Sequence, residues 1–137
     1  MSLKNTLAHP THHSPSGSQR GWFVVAALLG LTAVALGAVA SHALADPLAA
    51  RAVERASLYQ LIHAVVLLFA AGLTGYLALG ARCFLLAGIV LFCGSIELKY
   101  LFSVTNASAF APTGGVCLML GWLLLGASAL RRGKPNN

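Results

Sequence analysis

Acidic residues are nearly missing from this sequence: 137 positions hold three, Asp46, Glu54 and Glu97. With nine Lys and Arg, charged residues make up 9% of the chain, against about 25% in a soluble domain. So little polarity cannot cover a globule in water, which excludes a soluble single domain. Cysteine is scarce too. Cys83, Cys93 and Cys117 are odd in number and have no C-x-x-C spacing, which argues against a disulfide framework and a zinc site. They read as small buried hydrophobes. Two catalytic signatures are absent. Gly94-Ser95-Ile96-Glu97 is not a nucleophile elbow, and Gly114-Gly115 lacks the strand and Lys of a phosphate-binding loop. No catalytic constellation and no metal site is expected.

The formal net charge of +6 does not point to nucleic acid. That function needs basic residues gathered on one solvent face, whereas here they sit at the ends of apolar runs. Hydrophobic residues make up 58% of the chain and its mean hydropathy is +0.79. The composition fits an all-α polytopic membrane protein with one bundle and no room for a second domain.

In chain order, residues 1–20 are polar and hold His9, His12 and His13. They bury too little apolar surface to offset their ordering entropy and read as a disordered tail rather than a histidine metal site. The first span is expected at about 21–44, because nothing charged falls between Arg20 and Asp46 and about 20 apolar residues cross a bilayer. Ala43-Leu44-Ala45 resembles a signal-peptidase site, but the apolar run is longer than that of a signal peptide, so a retained helix is expected. Ala33, Gly37 and Ser41 form a small-residue stripe open to another helix. Asp46-Pro47 reads as an N-cap with Pro at the first helical position. It starts a short helix at about 47–57, interfacial or an extension of the next span.

The second, third and fourth spans are expected at about 58–79, 83–104 and 113–130, with a tight turn at Gly80-Ala81-Arg82 and a short tail over 131–137. This makes an up-down-up-down bundle of four transmembrane helices in a lipid bilayer. Lys4, Arg20, Arg82, Arg131, Arg132 and Lys134 fall on one side of it, and Arg51, Arg55 and Lys99 on the other. The positive-inside rule then puts both termini in the cytoplasm.

The third span carries a contradiction, Glu97 and Lys99 inside an apolar run. Charge at a helix centre in a membrane costs roughly 2.5–3.5 kcal/mol per residue on insertion scales. Residues two apart lie about 200° round a helix and cannot pair. Lys99 can snorkel, whereas Glu97 needs a partner, a proton or water. From the expected spans, His42, Tyr59, Gln60, His63 and Glu97 share one outer layer and form a candidate polar cluster. Three readings stay open for it: groups that satisfy one another and lock the packing, a proton or cation relay, and a bis-histidine haem or quinone site. Gly37, Ser41, Gly94, Gly114, Gly115 and Gly121 are the candidate helix-packing positions.

Five stretches together carry a family resemblance: Gly37-Ala38-Val39-Ala40-Ser41-His42, Tyr59-Gln60-Leu61-Ile62-His63, Leu91-Phe92-Cys93-Gly94-Ser95, Ala111-Pro112-Thr113-Gly114-Gly115 and Gly121-Trp122. In this order and spacing they resemble the YgdD-like family of small membrane proteins, which includes the transmembrane protein 256 relatives. The resemblance covers about residues 21–130. It implies a four-helix protein of bacterial inner membranes, with mitochondrial relatives and no established enzymatic activity. The positions matching the family's motifs are His42, Tyr59, Gln60, His63, Pro112, Gly114 and Gly115, while Glu97 departs from the pattern. The expected function is therefore a non-enzymatic accessory or structural component, packed against itself as a homo-oligomer or within a larger membrane complex. A small proton, cation or small-molecule transporter is the alternative.

Overall fold

A computed structural model describes residues 16–132 of the chain. The three tail histidines lie outside the described residues. Four α-helices follow one another: α1 Gly17–His42, α2 Pro47–Ala71, α3 Tyr76–Phe102 and α4 Ala111–Arg132, with a 3-10 segment Thr105–Phe110 before the last. All four are long and apolar enough to cross a membrane. The 27 residues of α3 extend about 40 Å at 1.5 Å per residue, more than the roughly 30 Å of a hydrocarbon core.

Local chemistry explains the helix ends. Ser16 caps α1 through a reciprocal capping box with Gln19, which satisfies two otherwise orphaned N–H groups. Asp46 caps α2, accepting from the Leu48 and Ala49 amides at 3.0 and 3.4 Å, with Pro47 following it. α2 then runs unbroken to Ala71, so residues 47–57 are an extension of the second membrane helix. Gly75, at φ 101°, turns the chain into α3, in a region that only glycine enters without cost. Pro112 sits in the first turn of α4, where its missing N–H is not needed.

The second turn falls at residues 72–75 and not at Gly80-Ala81-Arg82, which lie inside α3. The expectation failed because it assumed that a cation marks a membrane boundary. Arg82 is instead buried, and the fold supplies partners for part of its guanidinium while Nε stays unpartnered. Its Nη1 donates to the Ala71 carbonyl at 3.4 Å, at the negative end of the α2 dipole. Its guanidinium stands 5.3 Å from the Trp22 ring centroid, within cation–π range.

The closest packing joins α1 to α2, α2 to α3 and α3 to α4. α2 and α3 therefore form the centre, and α1 and α4 flank it. α1 buries only Ala26, Ala33 and Ala40, every seventh residue along one face. Its Val24, Leu28, Leu31 and Val34 are exposed. A core cluster of Ala26, Leu67 and Leu85, with Trp22, Val25, Leu29 and Val66 packed on it, ties α1, α2 and α3 together. This cluster lies towards the near end of the bundle, where α1 starts and α4 finishes. The far end holds the α1–α2 and α3–α4 connections.

Candidate functional site

The α2 sequence Tyr59-Gln60-Leu61-Ile62-His63 brings its polar groups to two different faces. Gln60 and His63 are both buried, yet they turn to different neighbours. Gln60 faces α1: its Nε2 donates to the Leu29 carbonyl at 2.9 Å and to Thr32 Oγ1 at 2.7 Å. Thr32 Oγ1 lies 3.0 Å from the Leu28 and Leu29 carbonyls, to which its own hydroxyl donates. The donors of a buried amide are thereby satisfied across the α1–α2 seam, as polar groups away from water must be.

His63 faces α4. Trp122 Nε1 lies 3.3 Å from His63 Nε2, and His63 Nδ1 lies 2.7 Å from the Tyr59 carbonyl. An indole N–H can only donate, so Nε2 accepts and the ring proton sits on Nδ1, donating to that carbonyl. Both ring nitrogens are engaged. The rings assemble around them: Tyr59 stacks on His63 with centroids 6.1 Å apart, Phe92 lies 5.4 Å from Tyr59, and Trp122 meets His63 edge-on at 6.3 Å. This aromatic group links α2, α3 and α4.

The expected five-residue cluster is divided by depth. Gly37 lies against the Ser57 hydroxyl. His42 is five residues outward of that level and His63 six residues inward, a separation of about 16 Å at 1.5 Å per residue. His42 is exposed in the last turn of α1. The two imidazoles therefore do not face each other and do not make an axial pair for one iron. By the same rise, Glu97, five residues outward of Phe92, stands about 13 Å further out than His63. Its Oε1 is buried with no hydrogen-bond partner. The error came from starting the second span at Leu58. With α2 beginning at Pro47, His63 lies deep in the bundle and not at its rim. Among the described residues, no three His, Cys, Asp or Glu side chains come together.

The packing glycines also divide. A Cβ at Gly114 would fall on the Phe92 backbone nitrogen and 2.7 Å from the Leu91 carbonyl carbon, and one at Gly121 would lie 2.8 Å from Leu85 Cγ. A Cβ at Gly37 would lie 3.3 Å from Ser57 Oγ, whereas one at Gly115 would meet only the Phe92 ring, at 4.0 Å. Gly94 has open space beside it, and Ser41 is exposed, its hydroxyl returned to the Gly37 carbonyl at 3.0 Å. These last two are not packing positions within the chain. The stripe that is buried in α1 is Ala26, Ala33 and Ala40, and Ser41 lies beside it.

Sequence reasoning missed Thr32, Trp122, Arg82 and Gly88 as partners. A signal existed for Thr32, the one hydroxyl between Gly21 and Ala40. For Trp122 the signal was its place beside Gly121 on a helix antiparallel to α3.

At the far end, α2 and α3 spread apart to form a half-open cavity of about 420 Å³. Arg55 and Lys99 stand at it, with Tyr59, Tyr100, Phe92 and Ile96 completing most of its wall.

Comparison with known proteins agrees with a membrane bundle. A family model described as "Protein of unknown function (DUF423)" matches residues 36–115. A "UPF0382 membrane protein" of Staphylococcus epidermidis is 33% identical over 116 residues, covering 80% of this chain and 95% of the relative. The UPF0382 membrane protein YwdK of Bacillus subtilis is 31% identical over 121 residues, covering 80% of this chain and 96% of its own. No solved structure matches the chain.

Proposed function

From the premise that the chain belongs to the DUF423, or UPF0382, family of membrane proteins of unknown function, we propose that it is a non-catalytic structural or accessory component. It works by packing in the membrane, against further copies of itself or within a larger complex. The observation that carries this reading is the use made of its intramembrane polar groups. Gln60, His63 and Arg82 each bond across or between helices, the arrangement of groups that hold a fold. α1 and α4 meanwhile leave most of their apolar surface uncovered within the chain. We assign the protein to the bacterial inner membrane with both termini cytoplasmic. The support is Arg20 and Arg131 at the near end, joined in sequence by Lys4, Arg132 and Lys134, against Arg51, Arg55 and Lys99 at the far end. Kinship with the YgdD-like and transmembrane protein 256 groups belongs to the same proposal and rests on the five motifs.

Native mass spectrometry of the protein gently extracted from its own membranes tests the proposal. The expected result is a second polypeptide or a whole multiple of the 14.2 kDa chain. A single chain carrying only lipid would overturn it.

One observation favours a second reading, proton or cation transport. Glu97 keeps a buried, unpartnered carboxyl oxygen, and ionisable groups at membrane depth mark ion pathways by default. Liposomes containing the protein should then show a flux that Glu97→Gln removes, and sealed vesicles without flux would sink the idea.

A further inference from the structure

The far-end cavity between α2 and α3 has a chemistry that the packing role does not use. Two cations, Arg55 and Lys99, stand at its rim, while Phe92 and Ile96 give it an apolar wall. Tyr59, Tyr100 and Ser108 also line it, the Ser108 hydroxyl already donating to the Thr105 carbonyl at 3.2 Å. Neither Glu54 nor Glu97, the acids nearest in sequence, lines it. Its volume of about 420 Å³ falls in the range of small-ligand sites, about 300–1,000 Å³. Depth adds to this. Lys99 lies within the last turn of a helix that exceeds the hydrocarbon thickness, and Arg55 lies in the extension of α2. Both cations therefore stand at headgroup level. Below them, Arg55, Tyr59 and Ile62 follow one stripe of α2 at helical spacing. Tyr59 and Ile62 on that stripe are each 48% exposed. The site is thus cationic at the top, and continues downward as an apolar track open to the bilayer.

We propose that this cavity binds an anionic phospholipid, its phosphate held by Arg55 and Lys99 and one acyl chain lying along Tyr59 and Ile62. The inference goes beyond the packing role and does not depend on it. Two positive charges without an acid to neutralise them favour an anion, the guanidinium of Arg55 suits a phosphate fork, and the apolar track distinguishes a lipid from a free phosphate.

The test uses the full chain, delipidated in detergent and given phosphatidylglycerol or phosphatidylcholine, with bound lipid read by native mass spectrometry. Phosphatidylglycerol should be retained at least about five-fold better, since a basic residue near a membrane surface contributes about that factor towards an anionic lipid. The double substitution Arg55→Gln with Lys99→Gln should bring the two lipids to parity. Arg55→Lys with Lys99→Arg keeps both charges and should keep the preference, which separates charge loss from misfolding. Arg20→Gln with Arg131→Gln removes the same net charge at the opposite end of the bundle and should leave the preference unchanged. Equal retention of the two lipids by the unaltered chain, or equal loss in both Gln pairs, would overturn the proposal. Displacement of phosphatidylglycerol by millimolar inorganic phosphate would overturn the lipid assignment in favour of a free anion.

Discussion

Between α3 and α4 the two backbones touch: Gly114 lies on the backbone of Leu91 and Phe92, Gly88 receives Leu118, and Gly121 receives Leu85. Between α1 and α2 they do not. There an alanine every seventh residue, Ala26, Ala33 and Ala40, supplies the contact surface, and the Gln60–Thr32–Leu29 bonds pin the register. One hairpin is held by close approach, the other by a smooth face and a polar clamp. The difference teaches that in a chain with so few polar residues, two devices substitute for the hydrophobic effect. Lipid is as apolar as leucine, so helices associate through packing and interhelical hydrogen bonds. These two hairpins divide those two terms between them.

The largest effect should follow from Gly114→Ala. The added methyl would meet the Leu91 carbonyl carbon at 2.7 Å and the Phe92 nitrogen closer still, and a helix backbone cannot swing aside as a side chain tip can. Overpacking costs typically 1–3 kcal/mol, and a backbone obstacle should bring the loss to about 3 kcal/mol or more. Thermal unfolding in detergent reads it. A variant melting with the unaltered protein would remove close approach as the principle of the α3–α4 hairpin.

How far these devices were readable from the residues depends on which one is meant. Gly114 and Gly121 stood out as small residues at which a neighbouring helix can approach closely, although α4 also holds Gly126, which has open space beside it. The four helices followed from apolar run length, and Asp46-Pro47 marked the start of α2 through its own chemistry. Gly94 misled, since a glycine with open space beside it looks the same in sequence as one facing a helix. Only the rotation of α3, which buries Cys93 and Ser95 and turns Gly94 away from its neighbours, separates them. Arg82 misled for another reason: burying it is tolerable only with the Ala71 carbonyl and Trp22 beside it, and both come from distant parts of the chain. The depth of His63 failed with the α2 boundary, because an extension of eleven residues ahead of Leu58 shifts everything after it inward.

The seam between the two hairpins should respond next. His63→Ala removes the acceptor of Trp122 Nε1 and opens a hole among Tyr59, Phe92 and Trp122. A loss of about 2 kcal/mol is expected from the lost bond and the cavity together, along with a shift in tryptophan emission as the indole N–H loses its partner. Under the packing role, this loss of stability should leave no transport or redox activity abolished. If instead a measurable activity vanished while the melting temperature held, His63 would act on something other than its neighbours.

A smaller effect should come from the polar clamp. Gln60→Leu keeps the volume and removes both donations, while Thr32 stays bonded within α1, so about 1 kcal/mol is expected. Paired with Thr32→Ala in a double-mutant cycle, the coupling should be about 0.6 kcal/mol, the average for interhelical bonds in a membrane protein. Coupling near zero would leave the alanine face alone to hold α1 on α2.

Gly94→Ala should do least, and its value lies in that. The new methyl meets nothing within 4 Å, and replacing glycine within a helix is worth roughly 0.5–1 kcal/mol in favour of the folded chain. A monomer in detergent should therefore melt at the same temperature or slightly higher. The outcome carries more weight in the native membrane. If Gly94→Ala weakens the assembled protein while leaving the isolated chain intact, something outside the chain approaches that glycine as closely as Phe92 approaches Gly114. The close-approach device of the α3–α4 hairpin would then be used a second time, between chains, on the opposite face of α3. If assembly is unaffected, this face meets lipid, and any partner must bind on α1 or α4 through a smooth surface of the kind that joins α1 to α2.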